Sequence, residues 1–201
     1  LGWTHGDRVD QMLARDLARE LLREHFDGDA GGDETPFNAA LYQTDEGGIA
    51  LFPYADDDLL LSARVASLTP NRFGRNALAG SFRAALDDPD ETRERSIIAL
   101  FGLASLGEPV LPAIARAASA LDLTPRERLY LGLAALAAGD EETAYGQYRE
   151  VMLAYGERRD PHVRVRIGAD QDDILEATAL AADLGAGLGD ALAPALFGYT
   201  M

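Results

Sequence analysis

Arg93-Glu94-Arg95 and Arg126-Glu127-Arg128 stand 33 residues apart, and each opens a nearly all-apolar run. The first run carries Ile97, Ile98, Leu100, Phe101 and Leu103; the second carries Tyr130, Leu131, Leu133 and Leu136. Each ends near a glycine and is followed by a helix apolar on one face only. A period of this size belongs to stacked helical hairpins, either a solenoid or a closed α/α toroid. It constrains the architecture and leaves the function open.

The alternation extends through the central and C-terminal chain. Residues 94–106, 126–138 and 174–184 are apolar on most faces, which predicts inner helices. Val110, Leu111, Ile114, Ala117, Ala118 and Leu121 form a single stripe, as do Ala144, Tyr145, Tyr148, Val151, Met152 and Tyr155. These segments, and a last one through Leu192, Leu196 and Tyr199, are predicted outer helices. Pro109 and Pro125 sit where a first helical turn tolerates proline.

Nearer the N-terminus, residues 7–26 have Met12, Leu13, Leu17, Leu21, Leu22 and Phe26 at helical spacing. Residues 27–36 read as a loop and 42–58 as irregular, with helices over 58–68 and 75–86. Residues 162–167 alternate as a short extended segment. The expectation is an all-α fold of about nine helices. They form hairpins in inner and outer layers of a partial or complete α/α toroid, as a single domain over residues 1–201.

Composition narrows the partners. The formal net charge of −16 repels the phosphates of nucleic acid and of anionic membranes. Every cation is arginine, for the chain has no lysine. The absence of cysteine removes disulfides, thiolate metal sites and cysteine nucleophiles together. No apolar run is long enough to insert into a membrane, and no signal peptide is visible. The chain starts without methionine, which leads to the expectation of a fragment from a longer protein.

The N-terminal motifs come in a recognisable order. Gly6-Asp7-Arg8-Val9-Asp10-Gln11-Met12-Leu13 opens a helix, and a glycine-rich loop follows. Next come Tyr42-Gln43-Thr44-Asp45-Glu46-Gly47-Gly48-Ile49, Phe52 and the helix from Asp58, then the paired helices. This order resembles the thioester-type domain of bacterial alpha-2-macroglobulin and complement-like proteins, which shares the α/α toroid of terpenoid cyclases and protein prenyltransferases. In that family a Cys-x-Glu-Gln stretch forms an internal thioester. Here Arg8, Asp10 and Gln11 stand at the cysteine, glutamate and glutamine positions, so the motif is degenerate. The resemblance implies a non-catalytic structural or interaction domain of a larger bacterial envelope or secreted protein. Such a domain has a protein or cell-surface partner and no cofactor. Read as ordinary residues, Asp10 and Gln11 belong to a first helical turn, with Asp10 favoured by the helix dipole.

Other motifs carry alternatives. Asp170-Gln171-Asp172-Asp173 is similar to the Asp-x-Asp-Asp pattern of class II terpenoid cyclases, in which the middle acid, here Asp172, protonates an alkene. That chemistry needs a buried acid beside other carboxylates. The repeated Gln/Trp motifs of those enzymes are missing. The same residues serve as well to cap the helix into Ile174. Asp56-Asp57-Asp58 point in different directions on a helix and read as an N-cap. Asp27, Asp29 and Asp33 have the spacing of a calcium loop, but its twelfth position is Asn38 and Pro36 interrupts the flank.

Arg158, Arg159, Arg164 and Arg166 form the basic cluster, read as ion-pair partners of the Asp170–Asp173 turn or as a docking patch. His5, His25 and His162 lack ligand spacing. Finally, Leu123 to Gly156 resembles a tetratricopeptide repeat through Gly132, Ala144 and Tyr148, which implies a peptide-binding scaffold.

Overall fold

The structure is a computed structural model that describes residues 8–26 and 37–201. The fold is all-α: nine α-helices and one two-stranded hairpin lie among the described residues. No helix among them is long and apolar enough to cross a membrane. The sequence is read as one domain; in the structure the contacts gather into two compact units, divided between Ser81 and Phe82. The hairpin period starts only at Arg93, and the irregular stretch before α2 interrupts any helix pairing upstream of it.

In the first unit, α1 (Val9–His25) buries Val9 and Leu13. Its outer turns are held by Arg72, which reaches Asp16 at 2.5 Å and Glu20 at 2.6 Å. Residues 42–58 carry two isolated bridges, Gln43 with Ile49 and Ala50 with Asp57. Asp58 then caps α2 (Leu59–Leu68), its carboxylate accepting the Leu61 amide at 2.7 Å. Ser62 is fully buried on α2, yet its hydroxyl donates to the Asp58 carbonyl and accepts the Ile49 amide, each at 2.7 Å. The irregular segment is thus tied to α2 through a satisfied polar group. Helix α3 (Arg75–Asp87) contains the division between the units.

The second unit is built from α4 (Arg93–Ser105), α5 (Leu111–Ala118), α6 (Pro125–Ala137), α7 (Glu141–Tyr155), β1 (Gly156–Arg159), β2 (His162–Val165), α8 (Gln171–Gly187) and α9 (Ala193–Thr200). Threonines or aspartates start four of its helices. Thr92, Thr124, Asp140 and Asp170 each accept a first-turn amide, and Thr124 with Glu127 completes a capping box.

The inner layer follows the expected order. Ile97 to Ala104 is buried without interruption on α4, and Leu129 to Ala135 is buried likewise on α6. Helix α6 packs against α4, α7 and α8. Gly132 permits its close approach to α8, because a Cβ there would lie 2.6 Å from Leu184 Cδ2. Each large apolar side chain so buried contributes about 1.5–3 kcal/mol over exposure.

Two charged rungs join successive inner helices. Arg93 on α4 forks onto Glu127 of α6, and Arg126 on α6 reaches Glu176 of α8 at 2.8 Å. Tyr130 adds a hydrogen bond to the same Glu176 at 3.0 Å.

The outer layer departs from its stripes. On α5 Ile114 is buried, whereas Leu111 is exposed and Leu121, beyond the helix end, is 97% exposed. On α7 Ala144, Tyr148 and Val151 turn inward, while Tyr145 and Tyr155 are exposed. The expected extended segment at 162–167 is half of a hairpin: β2 pairs antiparallel with β1, Gly156 opposite Val165 and Arg159 opposite His162. Val163 and Val165 are buried, and the Val165 amide donates to Thr178 Oγ1 on α8 at 2.9 Å.

Candidate functional site

The acidic turn is a helix start. Asp170 caps α8, its carboxylate accepting the Asp172 amide at 2.8 Å, and Asp170, Gln171 and Asp172 are exposed. Asp173 is half-buried and lies 3.8 Å from Arg126. A general acid acting on an alkene needs enclosure in an apolar cavity, and exposed Asp172 lacks it. Asp58 is likewise an N-cap. Among the described residues no group of three or more histidines, aspartates or glutamates is placed to hold a metal ion. Asp27, Asp29 and Asp33, with His5, lie outside the described residues.

The basic cluster does not meet the acidic turn. It closes on its own hairpin, around Glu157 of β1. Arg164 grips Glu157 with two hydrogen bonds of 2.7 and 3.0 Å, Arg166 reaches it at 3.2 Å, and Arg159 stands 3.6 Å away. The Arg164 and Arg166 hydrogen bonds hold the Glu157 carboxyl below the usual carboxylate range. Arg158 pairs instead with Asp160 at 2.8 Å. Hairpin register puts these charges on neighbouring strands, which makes pairing across the hairpin shorter than any reach to α8.

Arg8 and Asp10 are joined at the start of α1 by two hydrogen bonds of 3.0 and 2.8 Å, and Gln11 is exposed beside them. Arg8 and Asp10 rim a groove of about 420 Å³ between α1 and α2, whose walls include Leu13, Leu17, Leu61 and Leu68. Its polar rim is spent: Arg8 and Asp10 satisfy each other, and Asp58 caps α2.

The second unit holds a groove of different chemistry. It has a volume of about 330 Å³ and is walled by α7, the hairpin and the turn into α9. Tyr145, Met152, Leu153, Val163 and Leu192 supply its apolar wall. Tyr145 is 51% and Leu153 79% exposed. Tyr148 lies at its inner wall, 3% exposed, and its hydroxyl is buried against α8, where a Cβ on Gly185 would stand 3.0 Å from it. Burial, and then the charge and hydrogen bonding of Asp190, push the Tyr148 phenol well above its ordinary value. Asp190 stands beside the phenol, and its Oδ1 accepts the Leu192 amide at 2.7 Å. Arg149 and Arg158 complete the rim. Arg149 is exposed and has no ion-pair partner among the described residues.

Of the groove residues, Tyr148 stands at a tetratricopeptide-like position with Gly132 and Ala144, Arg158 in the basic cluster, and Tyr145, Met152 and Leu192 on the predicted outer helices. Arg149, Asp190 and Leu192 carry no motif. The available signal is the width of the α7 apolar band, since Tyr145, Met152 and Leu153 exceed what one buried face needs.

No family model, curated protein or solved structure matches the chain.

Proposed function

We propose that the chain is a non-catalytic protein-interaction domain in which the unit from Phe82 to Met201 is a scaffold of helical hairpins for a partner polypeptide. The observation that carries the reading is the groove on α7. It presents exposed Tyr145, Leu153 and Leu192 beside an arginine on a helix whose opposite face is locked into the core. Exposed aromatic and aliphatic groups around an arginine are the usual anchors of protein interfaces.

The rungs Arg93–Glu127 and Arg126–Glu176 support this reading by fixing α4, α6 and α8 against one another, so the groove is presented by a set frame. The likeness of residues 123–156 to a tetratricopeptide repeat points the same way. An envelope or secreted parent protein, which the thioester-domain resemblance implies, is compatible with such a role. The closed apolar cavity required by the terpenoid-cyclase alternative is not what surrounds Asp172, which is exposed at a helix start.

The test is selection of a random peptide library on the immobilised full chain. The expected result is enrichment of a shared motif whose binding is weakened by Tyr145→Ala and by Leu153→Ser. Failure to enrich any motif above an unrelated helical protein of similar charge would remove the interaction reading.

A further inference from the structure

We infer that one face of the β1–β2 hairpin, with Tyr199 of α9 and Gln171 of α8 at its edge, is a binding site for a phosphoryl group. Gly156, Arg158 and Val163 line the α7 groove, and the site uses the other face of the hairpin. It does not depend on the interaction reading above.

Register gathers the residues. Antiparallel pairing sets Glu157 opposite Arg164 and Arg159 opposite His162. Side chains alternate between the two faces of a strand, so these four share one face. Arg166 continues it and reaches Glu157 at 3.2 Å.

Three guanidiniums on that face share one carboxylate. Glu157 takes two hydrogen bonds from Arg164 and one from Arg166, and Arg159 stands 3.6 Å from it. Arg158 and Asp160 neutralise each other outside the face. Two positive charges therefore remain, concentrated on one hairpin of a chain whose net charge is −16. A phosphomonoester carries about −1.5 to −2 at neutral pH and matches that excess, whereas a single carboxylate matches half of it. Planar guanidiniums also present paired donors in the geometry that phosphate oxygens accept.

The donors converge at Tyr199. Arg164 Nη1 and Gln171 Nε2 both donate to its hydroxyl oxygen, at 3.3 and 3.2 Å, and the Arg164 guanidinium lies 5.9 Å from the centre of its ring. These bonds are long, since an arginine on an oxyanion comes to about 2.7–2.9 Å. The Tyr199 proton has no acceptor among the described residues. The Gln171 and Arg164 hydrogen bonds, with the charges of Arg164 and Arg159, hold the phenol below its ordinary value, so Arg159 acts at the same point. Tyr199 and Arg164 are half-buried, and Gln171 and Arg159 are exposed, which leaves the point open to solvent. A phosphate oxygen there accepts the Tyr199 hydroxyl and gives Arg159 and Arg164 a charged acceptor.

The acids of the α8 start fix the position. Asp170 and Asp172 flank Gln171 and are exposed. They repel an anion that moves toward α8, which places it on the hairpin side of Tyr199.

The experiment titrates the full chain with inorganic phosphate, phenyl phosphate and acetate at constant ionic strength. Proton–nitrogen correlation spectra follow the arginine Nε–H signals, the Gln171 side-chain amide and the hairpin backbone amides. Both phosphates are expected to give saturable shifts confined to these signals and to bind about tenfold tighter than acetate. Arg159→Gln is expected to weaken phosphate about fivefold, and Tyr199→Phe severalfold, with the hairpin amide signals retained in both. Arg116→Gln removes an exposed charge from α5, which packs on α4 and α6, and is expected to change nothing. Tighter binding of phenyl phosphate assigns the site to an esterified phosphoryl group, and tighter binding of inorganic phosphate to the free ion; both uphold the site.

Acetate bound as tightly as phosphate, or equal effects of Arg159→Gln and Arg116→Gln, would overturn the assignment, because the hairpin would then act only as diffuse positive charge. Shifts that never saturate, or that spread to arginines of other elements, overturn it as well.

Discussion

The Arg93 guanidinium on α4 holds both carboxylate oxygens of Glu127 on α6, at 2.8 and 2.9 Å, while the Thr124 amide donates to the same carboxylate at 2.7 Å. One side chain thus closes the capping box of its own helix and receives the neighbouring one. Glu127→Gln keeps the shape and loses the charge, and is expected to cost about 1–3 kcal/mol. Arg93→Met leaves the buried carboxylate without its cation and should cost a similar amount. Urea denaturation of both and of the double variant should give a combined loss smaller than the sum. Additive losses would show that the fork does not couple the helices.

The same pair sets a pH dependence. Burial acts to raise the Glu127 carboxyl, but the Arg93 hydrogen bonds and the Thr124 amide outweigh it, and its pKa ends below the ordinary 4.5. A depressed folded-state value contributes stability that is present above the unfolded value and lost as pH falls through the folded one. The stability gap between the native chain and Glu127→Gln is therefore expected to be full at about pH 7 and to shrink below about pH 4. Urea titrations at the two pH values measure it. A gap of constant size would mean that the carboxylate charge is not what the variant removes.

The inner layer is legible in the sequence because its signals agree. Thr124 and Glu127 mark a start, and Ile97–Ala104 and Leu129–Ala135 are too continuously apolar for a surface helix. The outer layer is only half legible. Periodicity groups Tyr145 with Tyr148, but only geometry decides that α6 and α8 cover the second and not the first. Strand β1 is illegible, since Gly156-Glu157-Arg158-Arg159 has no apolar alternation and is held by pairing with β2 and by Glu157. The groove is illegible for a related reason. Tyr148, Arg149 and Asp190 come from α7 and from the turn before α9, and nothing local in the chain announces that they meet.

Gly132 and Gly146 separate packing from helix propensity within one hairpin. A Cβ at Gly132 would meet Leu184 Cδ2 at 2.6 Å, whereas one at Gly146 meets nothing within 4 Å. Both glycines lie inside helices, where alanine is favoured by about 0.5–1 kcal/mol. Gly146→Ala is expected to stabilise by about that amount. Gly132→Ala forces Leu184 aside and is expected to destabilise by about 1–3 kcal/mol. Thermal melts decide this, and a stabilised Gly132→Ala would show that α6 and α8 have slack between them.

Tyr148→Phe tests the groove from the side of stability. A buried hydroxyl with a partner is worth about 0.5–1.5 kcal/mol, and its removal costs that much. The Tyr148 hydroxyl has no well-formed hydrogen bond among the described residues, and the Asp190 beside it disfavours only the phenolate, so removal of the hydroxyl costs less than a full hydrogen bond. The aromatic ring that packs α7 against Gly185 of α8 is retained in the variant. The expected outcome is a stability unchanged or lowered by less than about 1 kcal/mol, measured by urea denaturation. A loss above about 1.5 kcal/mol would show that Asp190 serves the hydroxyl as a full acceptor.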